Sequence, residues 1–298
     1  MRPTAVEGLW IESKLRKNHQ IQLGWLYNIA PRSTRKWYDA GESIGLYAVG
    51  VDASGVKSGY SGNIQTKGIL MANYQVKIKA SLTFNFWNMW VENVMNATMV
   101  QGDWEKTIKG GKLYSSFQVS SQVKSGEGGN ADITKTYYTN DKAVYTYGAR
   151  VGWKNSIWDY SLNFNRIGES GRYLMPREWG RDYFFTFMPR ERNEGLGDVT
   201  ALLAKASFQF RKNSSVQLSA GTFVLPDVRN FALNKYGMPS YHQVNVDVRH
   251  KFKGFLNGLE GQILWVAKYG VGETYDTPRY IIHKVDMHLL NAVLNFRF

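Results

Sequence analysis

The side chains of this sequence that could do chemistry are a scattered set of cations, and their spacing suits attraction more than catalysis. The five histidines, His19, His242, His250, His283 and His288, form neither a His-Glu-x-x-His nor a His-x3-His pattern. No Gly-x-Ser-x-Gly turn presents a serine nucleophile. The stretch Gly126-Glu-Gly-Gly129 lacks the Gly-Lys-Ser/Thr that cradles a phosphate. Cysteine is absent, which removes disulfides, thiol chemistry and thiolate metal sites together. An outer-membrane hydrolase of the Ser/His kind stays open only because triads are defined by geometry and not by order. No cofactor and no metal is expected.

What remains is positive charge. The 37 Lys and Arg against 24 Asp and Glu give a formal net charge of +13, so an anionic partner or an internal basic field is expected. The cations are spread along the chain with no block of five like charges, which argues against nucleic acid as the partner. A soluble or surface β-sheet module binding polyanions or glycans is one reading of this charge. Arg150, Lys205, Arg211 and Arg249 fall on the polar side of strand-like segments, and Arg177, Arg181, Arg190 and Arg192 crowd one long loop. Arg offers a planar fork that meets a carboxylate with two hydrogen bonds, and Lys adds a point charge. A row of such groups would hold anions weakly and hand them on, as selective passage requires. The loop acids Glu178, Asp182, Glu191 and Glu194 offer the loop arginines a competing role in local pairing. For Arg211, near a turn, the competing role is a rim contact with lipid headgroups.

Period two sets the elements that must position these residues. It predicts thirteen strands, at about 4–14, 19–30, 68–78, 81–91, 97–108, 112–124, 143–153, 156–166, 199–211, 214–224, 242–252, 258–268 and 286–298. One face is apolar throughout in Ile21, Leu23, Trp25, Tyr27 and Ile29, and again in Leu202, Ala204, Ala206, Phe208 and Phe210. The opposite faces read Lys205, Ser207, Gln209, Arg211 and Gln243, Asn245, Asp247, Arg249. Aromatics make up 14% of the chain while the mean hydropathy is −0.38, so the rings are interleaved with polar residues. No apolar run reaches the length of a membrane helix, but a spanning strand needs only about 9–11 residues with every second one apolar.

The connections sort by length. Leu15–Asn18, Lys79–Ala80, Lys109–Gly111, Lys154–Asn155 and Lys212–Asn213 are short, whereas 31–67, 125–142, 167–198, 225–241 and 269–285 are long. Short turns on one rim and long loops on the other are the layout of a transmembrane barrel, and a sandwich has no reason to sort its loops this way. A Lys or Arg at mid-membrane on the lipid face costs roughly 2–4 kcal/mol, so the strand cations should face the lumen. Trp25, Tyr27, Trp87, Trp153, Trp158 and Trp265 are expected in interfacial girdles.

The loop Arg172-Tyr-Leu-Met-Pro-Arg-Glu-Trp-Gly-Arg-Asp-Tyr-Phe-Phe-Thr-Phe-Met-Pro-Arg-Glu-Arg-Asn-Glu-Gly195 resembles the corresponding loop of the OprD-type outer-membrane porins, the substrate-specific channels of Gram-negative bacteria. Met1-Arg-Pro-Thr-Ala-Val-Glu-Gly8 and Leu233-Asn-Lys-Tyr-Gly-Met-Pro-Ser-Tyr241 are similar to the same family. The closing strand resembles those of outer-membrane barrels, whose terminal aromatic, here Phe298, serves as an assembly signal. The resemblance covers the whole chain. It implies an all-β, antiparallel transmembrane β-barrel in which residues 1–298 are one domain, the C-terminal part of an expected eighteen-stranded porin. It implies an eyelet to which loop 167–198 contributes, and a basic wall guiding small anionic or zwitterionic solutes that carry a carboxylate. Lipid, lipopolysaccharide and, through Phe298, the barrel-assembly machinery are the implied partners in the outer membrane.

Strand parity adds an expectation. Thirteen strands ending at the periplasmic rim place Met1 outside, whereas bacterial barrels have an even strand number and both termini in the periplasm. The first residues also carry no apolar signal core. An odd number of strands, five under the eighteen-strand plan, is therefore expected upstream together with a signal peptide.

Overall fold

The computed structural model describes residues 4–297. The opening Met1-Arg-Pro stretch and Phe298, with the assembly role expected of it, lie outside the described residues. All thirteen expected strands form, within a few residues of their anticipated bounds. In chain order they are β1 (Ala5–Arg16), β2 (His19–Ala30), β4 (Ile69–Lys79), β5 (Leu82–Val91), β6 (Met95–Ile108), β7 (Gly111–Lys124), β8 (Val144–Lys154), β9 (Trp158–Ile167), β10 (Val199–Arg211), β11 (Ser214–Val224), β12 (Tyr241–Lys251), β13 (Leu259–Gly270) and β14 (Met287–Phe296). A two-residue strand, β3 (Tyr38–Asp39), is too short to show a period and pairs with the end of β2. Apart from β3, each strand pairs antiparallel with the next in sequence. Among the described residues no ladder joins β1 to β14.

The short turns have local causes. Ile108 pairs with Gly111, leaving Lys109-Gly110 as a two-residue hairpin, and Gly110 takes the left-handed φ of 86° that such a turn requires. Between β8 and β9 the Asn155 side-chain oxygen accepts from the backbone N–H groups of Ile157 and Trp158, at 2.8 and 2.7 Å, and so closes the turn from within.

Burial is inverted relative to a soluble sheet. The apolar parity is exposed, with Leu162 at 64%, Leu202 at 57% and Leu218 at 50%, while Gln118, Asn163, Asn245 and Gln243 are all buried. Aromatics pack laterally across the outer face, Trp158 stacking on Phe208 at 4.2 Å and on Tyr160 at 5.4 Å. One expected girdle residue departs: Trp87 shares its parity with Asn85 and Met89 and lines the inner cavity. On the outer parity of β5 and β6 three polar residues satisfy one another, Asn88 donating to Asn96 at 2.6 Å and to Thr98 at 3.0 Å.

The buried apolar residues gather at the long-loop rim. One cluster joins Ile29, Ile44, Tyr60, Ile64, Val91, Met95 and Tyr138, and another joins Val144, Ile167, Tyr173, Phe184, Met188, Leu196 and Phe223. Both combine strand ends with loop residues, so the loops are packed structure. Placing Arg at outward Leu162 should lower unfolding stability in lipid vesicles by about 2–4 kcal/mol, whereas Arg at its inward neighbour Ser161 should cost less than half of that, both read from denaturant midpoints.

Candidate functional site

The loop between β9 and β10, residues 168–198, lies against the inner face of the sheet. Gln118 on β7 donates to the Tyr183 carbonyl at 3.2 Å, and Gln122 holds Leu174 at both N–H and C=O, at 2.9 and 2.8 Å. On β10, Lys205 Nζ donates to the carbonyls of Phe187 at 2.8 Å and Phe185 at 3.3 Å. Gly148 on β8 leaves room for this approach: a Cβ there would already touch the Phe185 ring at 3.4 Å and Gln118 at 3.2 Å. These wall side chains supply the hydrogen-bond partners that the loop backbone packed against them needs.

Three of the eight cations expected along the solute path line one cavity of about 680 Å³: Arg150, Arg181 and Lys205. Arg150 points between Ser116, 2.9 Å away, and Asp103, 3.5 Å away, with its guanidinium 4.5 Å from the Phe185 ring centre. Arg181 lies over Phe187 at 4.9 Å. Met71, Trp87, Met89 and Met99 supply an apolar side to the same cavity. Arg249 stands apart near the short-turn rim, half exposed and paired with Asp247 at 2.9 Å. Arg211 ends β10, exposed to solvent at that same rim. Arg177 and Arg192 lie over the Tyr236 ring at 5.7 and 5.3 Å, while Arg190 is exposed and contributes its carbonyl to the wall contacts.

The loop acids find partners other than the loop arginines. Glu178 accepts from the backbone N–H groups of Tyr47 at 2.7 Å and Gly45 at 3.2 Å. Asp182 accepts from the Asn193 N–H at 3.2 Å, and Glu191 from the Asn193 side chain. Glu194 pairs with Lys235 at 3.0 Å, each only 3% exposed, and also accepts from the Tyr236 hydroxyl at 2.6 Å. Lys235 is further flanked by the rings of Tyr60 and Tyr137 at 4.9 and 5.0 Å. Among the described residues none of Arg177, Arg181, Arg190 and Arg192 forms an ion pair with these acids, so the local pairing expected as their alternative role is not made.

Sequence reasoning missed this buried pair, and it missed Arg172, whose guanidinium donates to the carbonyls of Val51 and Asp52 at 2.8 Å each and to that of Phe231. Burial pulls the Arg172 guanidinium down to about 10, which leaves it charged at neutral pH. Burial also lowers Lys235, with Glu194 opposing the shift. The Asp182 carboxyl is pushed up to about 6 by its removal from water. The alternating pattern did contain a signal for Lys268, which shares the polar parity of Gln262 on β13; for Arg172 and Lys235 no local signal exists.

An up-and-down antiparallel sheet with an apolar outer face, a polar inner face and an inward-folded loop defines the architecture of a transmembrane porin barrel. Its fold is that of the OprD-type porins. Superposition on OccAB4 of Acinetobacter baumannii gives a TM-score of 0.68 at 14% identity, covering 89% of this chain and 61% of that one. OccAB2 of the same organism gives 0.70 at 12% identity, covering 98% and 67%. OpdK of Pseudomonas aeruginosa, solved with vanillate, gives 0.68 at 10% identity, covering 91% and 66%. The chain thus spans about three fifths to two thirds of the length of these structures. No family model and no curated protein matches the sequence.

Replacing Lys235 with Met strands Glu194 in a buried site and should cost about 3–5 kcal/mol in denaturant unfolding, with the double change K235M/E194Q recovering most of it. Between pH 4 and 6 the folded loop holds a proton on Asp182 that the unfolded chain has released, so its stability falls as pH rises through that window. Asp182→Asn should flatten this dependence, measured as hydrogen exchange of the loop amides at several pH values.

Proposed function

We propose that the protein is a passive, substrate-selective diffusion channel of the Gram-negative outer membrane, admitting small anionic or zwitterionic solutes that carry a carboxylate. The observation that carries this reading is the convergence of Arg150, Arg181 and Lys205 on one cavity beneath an inward-folded loop, inside a sheet whose outer face is apolar. Cations on the inner face draw anions toward the constriction, and the guanidinium of Arg150, only partly engaged by Asp103, can exchange that partner for a passing carboxylate. Arg249 and Arg211 extend the positive field to the short-turn rim, and Arg177, Arg190 and Arg192 extend it through the loop. Several weak sites in a row favour passage over retention. The crystal structure of OpdK with vanillate, a carboxylate, supports the substrate class by analogy of fold.

On this reading lipid and lipopolysaccharide surround the outer face, Phe298 addresses the assembly machinery, and no chemical step and no cofactor is involved. Planar-bilayer recordings test it. Neutralising Arg150, Lys205 and Arg249 together should lower the anion-to-cation permeability ratio by about threefold to tenfold in a salt gradient. Unchanged selectivity would remove the basic wall from the mechanism. Solubility without detergent would favour a polyanion-binding module, and labelling by a serine-reactive probe would favour a hydrolase.

A further inference from the structure

The inner bend of the constriction loop hangs from the wall by its backbone. On β12, Gln243 and Asn245 both donate to the Pro189 carbonyl, at 2.7 and 3.0 Å. On β13, Lys268 Nζ donates to the Arg190 carbonyl at 3.0 Å. Gln243 and Lys268 are direct cross-strand partners, so the two adjacent carbonyls are gripped from adjacent points of one rigid ladder. Lys268 is 1% exposed, and its ammonium lies 3.9 Å from the centre of the Tyr241 ring, so it presents no free charge to a solute. The held bend is not a relaxed one: Arg190 has φ at 72°, a left-handed conformation that a side chain of its kind avoids. A loop released from these donors would lose the constraint that keeps Arg190 there, and three hydrogen bonds to two partly buried carbonyls would be lost.

We infer that Lys268, with Gln243 and Asn245, is a positioning set that fixes the loop in its inward place and thereby sets the width of the bore. Arg150, Arg181 and Lys205 line the cavity a solute would cross, whereas the buried cation of β13 acts only through the loop backbone. The electrical consequence rests on the channel reading above; the mechanical one does not.

Two measurements on the same protein separate these. Lys268→Met keeps the volume of the side chain and removes its ammonium. Amides of residues 185–193 should then exchange with deuterium faster by about tenfold or more, because loop opening becomes less costly. In bilayers the variant should flicker among sub-conductance states with several-fold greater open-channel noise, while its reversal potential stays that of the unmodified protein. Arg150→Gln should do the opposite, shifting the reversal potential without added noise. If Lys268→Met does not assemble, the uncharged pair Gln243→Leu with Asn245→Leu must give the same faster exchange. Unchanged exchange in either variant overturns the inference, as does a quiet Lys268→Met channel with a shifted reversal potential. Faster exchange in a protein that conducts nothing would uphold the positioning role and sink the channel reading instead.

Discussion

Hydrocarbon offers no partner to a peptide group, and most of this molecule follows from that. A chain crossing such a medium must satisfy each N–H and C=O internally, and the sequence-ordered ladder from β1 to β14 does so for the strands between its ends, leaving the outer edges of β1 and β14 without a ladder partner among the described residues. Once the ladder is in place the pleat assigns every second side chain to either face. Exposed Leu162, Leu202 and Leu218 beside buried Gln118, Asn163 and Asn245 are the direct result. The same demand governs the loop inside. Its carbonyls at Tyr183, Phe185, Phe187 and Pro189 are met by wall donors, so the inner face is polar for the sake of the loop as much as for a solute.

Charge is used in three ways that composition cannot separate. Some cations are gathered at a cavity, as Arg150 and Arg181 are. Some serve as hydrogen-bond donors to backbone, as Lys205 does, its ammonium committed to two loop carbonyls even while it lines that cavity. Others are fully buried in pairs, Lys235 with Glu194 being the example, where the cost of removing two charges from water is offset only because Tyr236 and the flanking rings complete the surroundings. A net charge of +13 therefore overstates the field available to a solute.

The strands were legible because period two is a local property. β10, alternating from Ala204 to Arg211, and β12, alternating from Gln243 to Arg249, could be read almost to their ends, and the sorting of short and long connections followed. β3 was not legible, since two residues carry no period and its pairing depends on the return path of the 31–68 segment. The parity of Lys205 was readable, but its partners on the loop were not, because the loop's path is set by packing its Tyr173, Phe184 and Met188 against strand residues such as Val144, Val199, Phe223 and Tyr241. Arg172 reaches carbonyls some 120 residues away in sequence, a contact that no spacing rule encodes. Trp87 illustrates a further limit: an aromatic on the polar parity reads as a girdle residue until the cavity it lines is seen.

Arg172 also makes one surface of the long-loop rim. By binding Val51, Asp52 and Phe231 it welds three of the long connecting segments, its own included, and Asn140, which accepts from the Arg172 N–H and donates to its C=O, ties in a fourth. Any macromolecule meeting this face would find a mosaic surface shared among segments distant in sequence. Sequence change is then best tolerated at outlying exposed tips such as Lys57 and Glu127, since exchange of one whole segment would break the weld for its neighbours.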